Sequence, residues 1–163
     1  MKFSQSTTHL NLPPLSNHHV LMTMDIDECR TAVSNRYHPI SFDVEKNHNH
    51  FTFYYNHAFL NGLSISYHYN SEPIYLQSDP PEDSYILQFY ITQGSARTTY
   101  GKQEAEFSAD GGGCLVSPFR SCSWLYSADH TQFIVRIKRS LLELQIELAT
   151  CTHLREPLAF TYK

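Results

Sequence analysis

Between residues 50 and 138 apolar and polar positions alternate in short runs, which is the period of strands. "HFTFYYN" (50–56) sets Phe51, Phe53 and Tyr55 against His50, Thr52 and Tyr54. "LSISYHY" (63–69) places Leu63, Ile65, Tyr67 and Tyr69 on one face. "SYILQFYITQ" (84–93) groups Tyr85, Leu87, Phe89 and Ile91. "ARTTYG" and "QEAEFS" flank a Gly101–Lys102 turn and predict a hairpin. "PIYLQ" (73–77), "GCLVSP" (113–118), "CSWLY" (122–126) and "TQFIVRIK" (131–138) read as further strands. Many short strands between turn residues predict an antiparallel sandwich or barrel.

The period changes on both flanks. "MDIDECRTAVSNRY" (24–37) reads as a helix, with Asp25 or Asp27 as its cap and Ile26, Cys29, Ala32 and Val33 on one stripe. Pro39 stops it, because proline disfavours helix in the residue before it. "RSLLELQIELATCTHL" (139–154) reads as a second helix anchored by Leu141, Leu144, Ile146 and Leu148, with Leu142 off that stripe. Apolar residues on more than one face suit a helix with two partner surfaces, so this helix is the candidate element for a homodimer. Residues 1–23 are polar with Pro13–Pro14 and read as a flexible arm, leaving 24–163 as one domain.

Composition narrows the class. The 163 residues carry 13% aromatics, including eleven Tyr and ten Phe, which suits strands better than helices. The net charge of −4 is unlike the basic footprint of a nucleic-acid binder. No stretch approaches the roughly 20 apolar residues of a membrane span, and the N-terminus lacks a signal-peptide apolar run. Cys29, Cys114, Cys122 and Cys151 contain no CxxC pair, so free thiols in a reducing cytoplasm are expected. Cys114 and Cys122 read as small core residues.

"ADGGGCLVSPFRSCSW" (109–124) holds three glycines in a row. A phosphate cradle would need a helix start after them, but Cys-Leu-Val-Ser-Pro follows, so the glycines read as a strand-to-strand turn. Gly112, five residues and Pro118 resemble the second half-motif of the cupins, which are small β-barrels. In metal-binding cupins a Gly stands two places after the Pro and a His three further on; here these are Arg120 and Ser123. Counting back from Gly94 puts Leu87 where the first half-motif has Glu, and Pro-Pro-Glu-Asp (80–83) where it has two His. The frame is present without its metal ligands.

Within that frame "FLNGLSISYHYNSEPIYLQ", "SYILQFYITQGSARTTYGKQEAEFSADGGGCLVSPF" and "FIVRIKRSLLELQIELATCTHLREPLAF", in this order, resemble the N-terminal regulatory domain of AraC/XylS-type transcription regulators, over about residues 24–161. The resemblance implies a cupin-like barrel that binds a small effector or mediates dimerisation. It also implies that DNA is contacted only through a C-terminal domain not in this chain.

The other chemical readings fall away. His48 and His50 share a parity but precede the apolar alternation, so they read as solvated; His68, opposite Tyr67 and Tyr69, earns the same reading. No G-x-S-x-G elbow is present. Glu82–Asp83 and Glu104/Glu106 suit turns and an exposed face. A small-molecule pocket survives, lined by the inward aromatics Tyr67, Tyr69, Tyr85, Phe89 and Trp124, with Arg97 or Arg120 pairing a ligand carboxylate. The expectation is therefore a mainly β, cupin-like antiparallel barrel with an N-terminal and a C-terminal helix. It would act as a cytoplasmic effector-sensing or dimerisation domain, not an enzyme, with no metal, cofactor or membrane partner. The alternatives are a metal-dependent cupin enzyme and an oligomerisation module without ligand.

Overall fold

The computed structural model describes residues 12–36, 40–44, 50–79, 83–91, 94–108, 112–119 and 121–158. The chain order is β1 (His19–Thr23), α1 (Ile26–Ser34), β2 (Ile40–Val44), β3 (Phe53–Leu60), β4 (Leu63–Asn70), β5 (Ile74–Ser78), β6 (Ser84–Tyr90), β7 (Ser95–Tyr100), β8 (Gln103–Ser108), β9 (Gly113–Val116), β10 (Cys122–Tyr126), β11 (His130–Lys138) and α2 (Arg139–Thr150). A six-stranded sheet runs β1-β3-β4-β11-β6-β9 and a five-stranded sheet β2-β5-β10-β7-β8. Every pairing is antiparallel. The fold is mainly β, two antiparallel sheets with two flanking helices, the class that the alternation and turns predict.

Local chemistry sets the elements. Asp25 caps α1, its carboxylate accepting from the amides of Asp27 (2.7 Å) and Glu28 (3.2 Å). Cys29 and Val33 then enter the core, and the Arg30 guanidinium donates to the Phe42 carbonyl of β2. The β3–β4 hairpin turns on Asn61-Gly62, both with positive φ, the pair that a two-residue turn of matching twist demands. α2 continues directly from β11 and ends at Cys151 in the left-handed region. No helix among the described residues is long and apolar enough to cross a membrane.

One expectation needs correction. Residues 12–23 are not a loose arm. A 3-10 turn at Ser16–His18 leads into β1, which pairs with β3. The buried Asn56 amide donates to the Pro14 carbonyl at 2.6 Å and its oxygen lies 3.0 Å from the His19 ring nitrogen. The short run "HVLMT" shows no clean alternation in sequence because β1 is an edge strand whose register shifts between His19 and Leu21. β2 likewise escaped the sequence reading, and the helix stop at Pro39 lies outside the described residues.

The glycine turn divides its labour. Gly111 lies outside the described residues; Gly112 has φ +101°. Gly113 is needed for close approach, since a Cβ there would sit 2.2 Å from the Gln88 carbonyl oxygen of β6. Gly113→Ala must force β9 from β6, and we expect a loss of about 2–3 kcal/mol. In a domain of this size that lowers Tm by roughly 4–12 °C. Differential scanning calorimetry checks this; an unchanged Tm would mean that the β6–β9 edge yields freely.

Candidate functional site

One core fills the space between the sheets, drawing Phe53, Tyr55, Ile86 and Ile134 from one and Phe42, Ile74, Trp124 and Tyr126 from the other. Inside it lies a void of about 40 Å³. Trp124, His68, Gln88 and Gln132 border it, with Asn70 and Tyr126. No Asp, Glu, Lys or Arg lines it.

The wall contributed by β4 reverses the sequence reading. Ser64, Ser66, His68 and Asn70 are the buried positions, while Leu63, Ile65, Tyr67 and Tyr69 are only half-buried and take the outer face. The neighbouring strands explain why. Gln132 of β11 stands opposite His68 and also opposite Tyr90 of β6, so three adjacent strands turn polar groups inward in register. Small serines leave space at the centre of the barrel, and the larger polar groups meet one another there. Tyr90 donates to the Gln88 oxygen at 3.0 Å, and the Gln88 amide donates to the Tyr126 hydroxyl at 3.2 Å. The Asn70 amide donates to the Glu72 and Ser127 carbonyls. The Tyr55 ring meets His68 edge-on at 4.6 Å, and Tyr126 stacks on His130 at 4.8 Å.

This environment fixes protonation. Burial, then the nearby His57 and His130, pushes the His68 pKa down to about 3. Burial brings His130 down to about 4, against the upward pull of the neighbouring Gln132 side chain. Both imidazoles are neutral at pH 7. Burial raises the Tyr126 hydroxyl well above its ordinary value, so it too is uncharged. The interior thus offers neutral donors and acceptors beside aromatic faces. Trp124 is the notable donor: it is 4% exposed, and its indole N–H has no acceptor among the described residues.

The expected site residues do not converge. Trp124 borders the void with its strand-mates Cys122 and Tyr126 facing inward. Tyr67 lies outside against Phe133 and Tyr54, and Tyr69 outside with its hydroxyl on Asp129 at 2.9 Å. Phe89 is also on the outer face, 44% exposed. Tyr85 is fully buried, but under α2, where its hydroxyl donates to Glu143 and accepts from the Leu158 amide, each at 2.8 Å. Arg97 is exposed on β7, 3.9 Å from Glu106. Arg120 lies outside the described residues, as do His48 and Glu82. Apolar parity picked the outer face because that face is the more apolar one: Ile65, Val135, Leu87 and Leu115 form one row across four strands. His68 was read as solvated and is 5% exposed. The signal that could have found the interior is the shared parity of Ser66, His68 and Asn70 with Gln132 and Gln88. No three His, Cys, Asp or Glu groups cluster to hold a metal among the described residues.

The sequence model of the AraC-binding-like domain matches residues 29–160. The chain belongs to this family. No curated protein matches the sequence. Among solved structures, the AraC-like transcriptional activator CuxR superposes on this AraC-binding-like domain with a TM-score of 0.57 at 12% identity, covering 77% of this chain and 49% of that one. The domain therefore spans about half the length of that structure. A cupin domain of Schizosaccharomyces pombe Cnp3 gives 0.42 at 8% identity over 58% and 70% of the two chains. A predicted oxalate decarboxylase from Thermotoga maritima gives 0.45 at 13% over 63% and 96%. At such identities the CuxR likeness establishes the fold alone.

Proposed function

We propose that this AraC-binding-like domain is the cytoplasmic regulatory module of a transcription regulator, and that an uncharged small effector, or the uncharged part of one, seats beside Trp124. The observation that carries the reading is the buried Trp124 indole N–H, which lacks an acceptor and borders a cavity lined by neutral polar groups. An ionised group there would be desolvated with no opposite charge to meet it, since Arg97 is exposed on β7 and does not line the cavity. The void of about 40 Å³ is smaller than the roughly 150 Å³ that accepts benzene. Seating an effector of that size requires the interior side chains to part, so the effector selects a wider arrangement of them. The family match and the description of CuxR as a transcriptional activator support the regulatory reading over catalysis. α2 is assigned the self-association role. DNA contact is assigned to another domain of such a regulator, since this chain carries a net charge of −4.

Trp124 is the only tryptophan, which gives the test. In a screen of uncharged metabolites, a true effector should change its emission saturably. Trp124→Phe should keep the fold, lose the signal and weaken binding by about 1–2 kcal/mol through the missing hydrogen bond. A broad screen with neither a fluorescence change nor a thermal shift would make the interior a solid core and the domain an oligomerisation module.

A further inference from the structure

The inward faces continue past the neutral void into a second cavity of about 280 Å³ at one end of the barrel. One inward step along β11, about 7 Å, leads from Ile134 to Arg136, and one along β6 from Ile86 to Ser84. The chemistry changes over that step. Arg36, Arg136 and Lys138 line the second cavity, with Asp83 as its one carboxylate among the described residues. This concentration of positive charge stands out in a chain whose net charge is −4.

The three cations differ in how they are held. Arg136 is fixed: Nη2 donates to Asp83 at 2.8 Å, Nε to the Ser84 hydroxyl at 2.6 Å and Nη1 to the Arg36 carbonyl at 3.4 Å. Its side chain is 23% exposed. Asp83 offsets this one charge. Arg36 and Lys138 have no carboxylate partner among the described residues, and the Arg36 guanidinium lies 5.8 Å from the centre of the Tyr55 ring. His57, on the same wall, is held below its ordinary pKa first by burial and then by Arg36 and Arg136, so the positive field reaches into the cavity. Ser64 adds a buried hydroxyl-bearing residue to the wall.

We propose that this cleft is an oxyanion site that takes the carboxylate or phosphate group of a small molecule, with Arg36 and Lys138 supplying charge that no described carboxylate offsets and Arg136 a pre-oriented donor. Guanidinium forks suit both groups, and a pre-held Arg136 loses little freedom on binding. The proposal is independent of any effector in the Trp124 cavity.

The test is an amide chemical-shift titration of the full chain with inorganic phosphate and, separately, succinate, against sodium chloride at matched ionic strength. The expected result is saturable shifts at Arg36, Ser84 and Arg136, with a rise in the His57 pKa as the bound anion offsets the cations. Arg36→Gln combined with Lys138→Gln should weaken binding roughly tenfold or more while leaving Tm unchanged, because both side chains are exposed. A response to phosphate alone assigns a phosphate-bearing ligand, and to succinate alone a carboxylate-bearing one. Shifts no different from chloride, or shifts and His57 titration indifferent to the double substitution, would overturn the proposal. Trp124 emission plays no part in these readouts, so a failed effector screen and a failed anion site are separable.

Discussion

Lowering the pH from 7 to 5 should remove roughly 4 kcal/mol of folding stability, about 2 kcal/mol for each of His68 and His130. Both are neutral in the folded domain, with pKa values lowered by burial to about 3 and about 4 from an ordinary 6.5. In the unfolded chain both take up a proton below about pH 6.5, which the folded state refuses until far lower pH. Their contribution is therefore fully present above pH 6.5 and is lost as pH falls towards 3–4. His57 shifts in the same direction and adds to the slope. Asp83, whose pKa is lowered by its hydrogen bond from Ser84 and by Arg136, loses its contribution only as carboxylates protonate, below this window. Urea unfolding at pH 7, 6 and 5 measures the slope, and His68→Asn should remove close to half of it whatever its effect on stability at pH 7. Native-state imidazole resonances give a second reading: His68 should remain neutral at pH 5. A flat stability between pH 7 and 5.5, or a His68 that titrates near 6.5, would show that the interior is wet enough to charge.

The same imidazoles show where the sequence could be read and where it could not. Strand positions were legible because a period of two needs no knowledge of what lies on either side. The Gly101–Lys102 hairpin, the 122–126 strand and both helices depend on turn, cap and periodicity rules that act within a few residues. The choice of inward face is not local. It was made on the rule that the apolar parity is buried, and β4 breaks that rule. Leu63, Ile65, Tyr67 and Tyr69 take the outer face of a wide sheet, while Ser66, His68 and Asn70 face inward beside β11, a strand distant in sequence that sets Gln132 opposite His68. Trp124 was placed inward because β10 has apolar residues at the buried parity, so that the rule held there. The oxyanion cleft was invisible for a related reason. Arg36, Ser84 and Arg136 lie on α1's exit, β6 and β11, and only the β6–β11 register, which sets Ser84 beside Lys138, brings their ends together.

Substituting Leu144 and Leu148 by Glu should convert a dimer into a monomer, raising the dissociation constant by roughly 100-fold or more, about 3 kcal/mol. The two faces of α2 differ in what they meet. Leu142 and Ile146 are half-buried, and on the same side Glu143 is tied to the barrel by Tyr85 and by Arg139 at 2.9 Å. Leu141, Leu144 and Leu148 are 36%, 50% and 64% exposed, and they recur at i, i+3 and i+7. Leucines already in water add little to the fold of one chain, so Leu144→Glu and Leu148→Glu should leave Tm at high dilution almost unchanged. Packed against a second copy about a two-fold axis, each would bury about 1.5–3 kcal/mol of apolar side chain. Sedimentation equilibrium at micromolar concentration should give the native chain twice its 18.9 kDa and the double variant 18.9 kDa. Leu142→Glu is the contrasting substitution: it strikes the seat of α2 on the barrel and should lower Tm. A native chain that sediments at 18.9 kDa at every concentration would leave the leucine row as ordinary exposed surface and remove self-association from the proposed function.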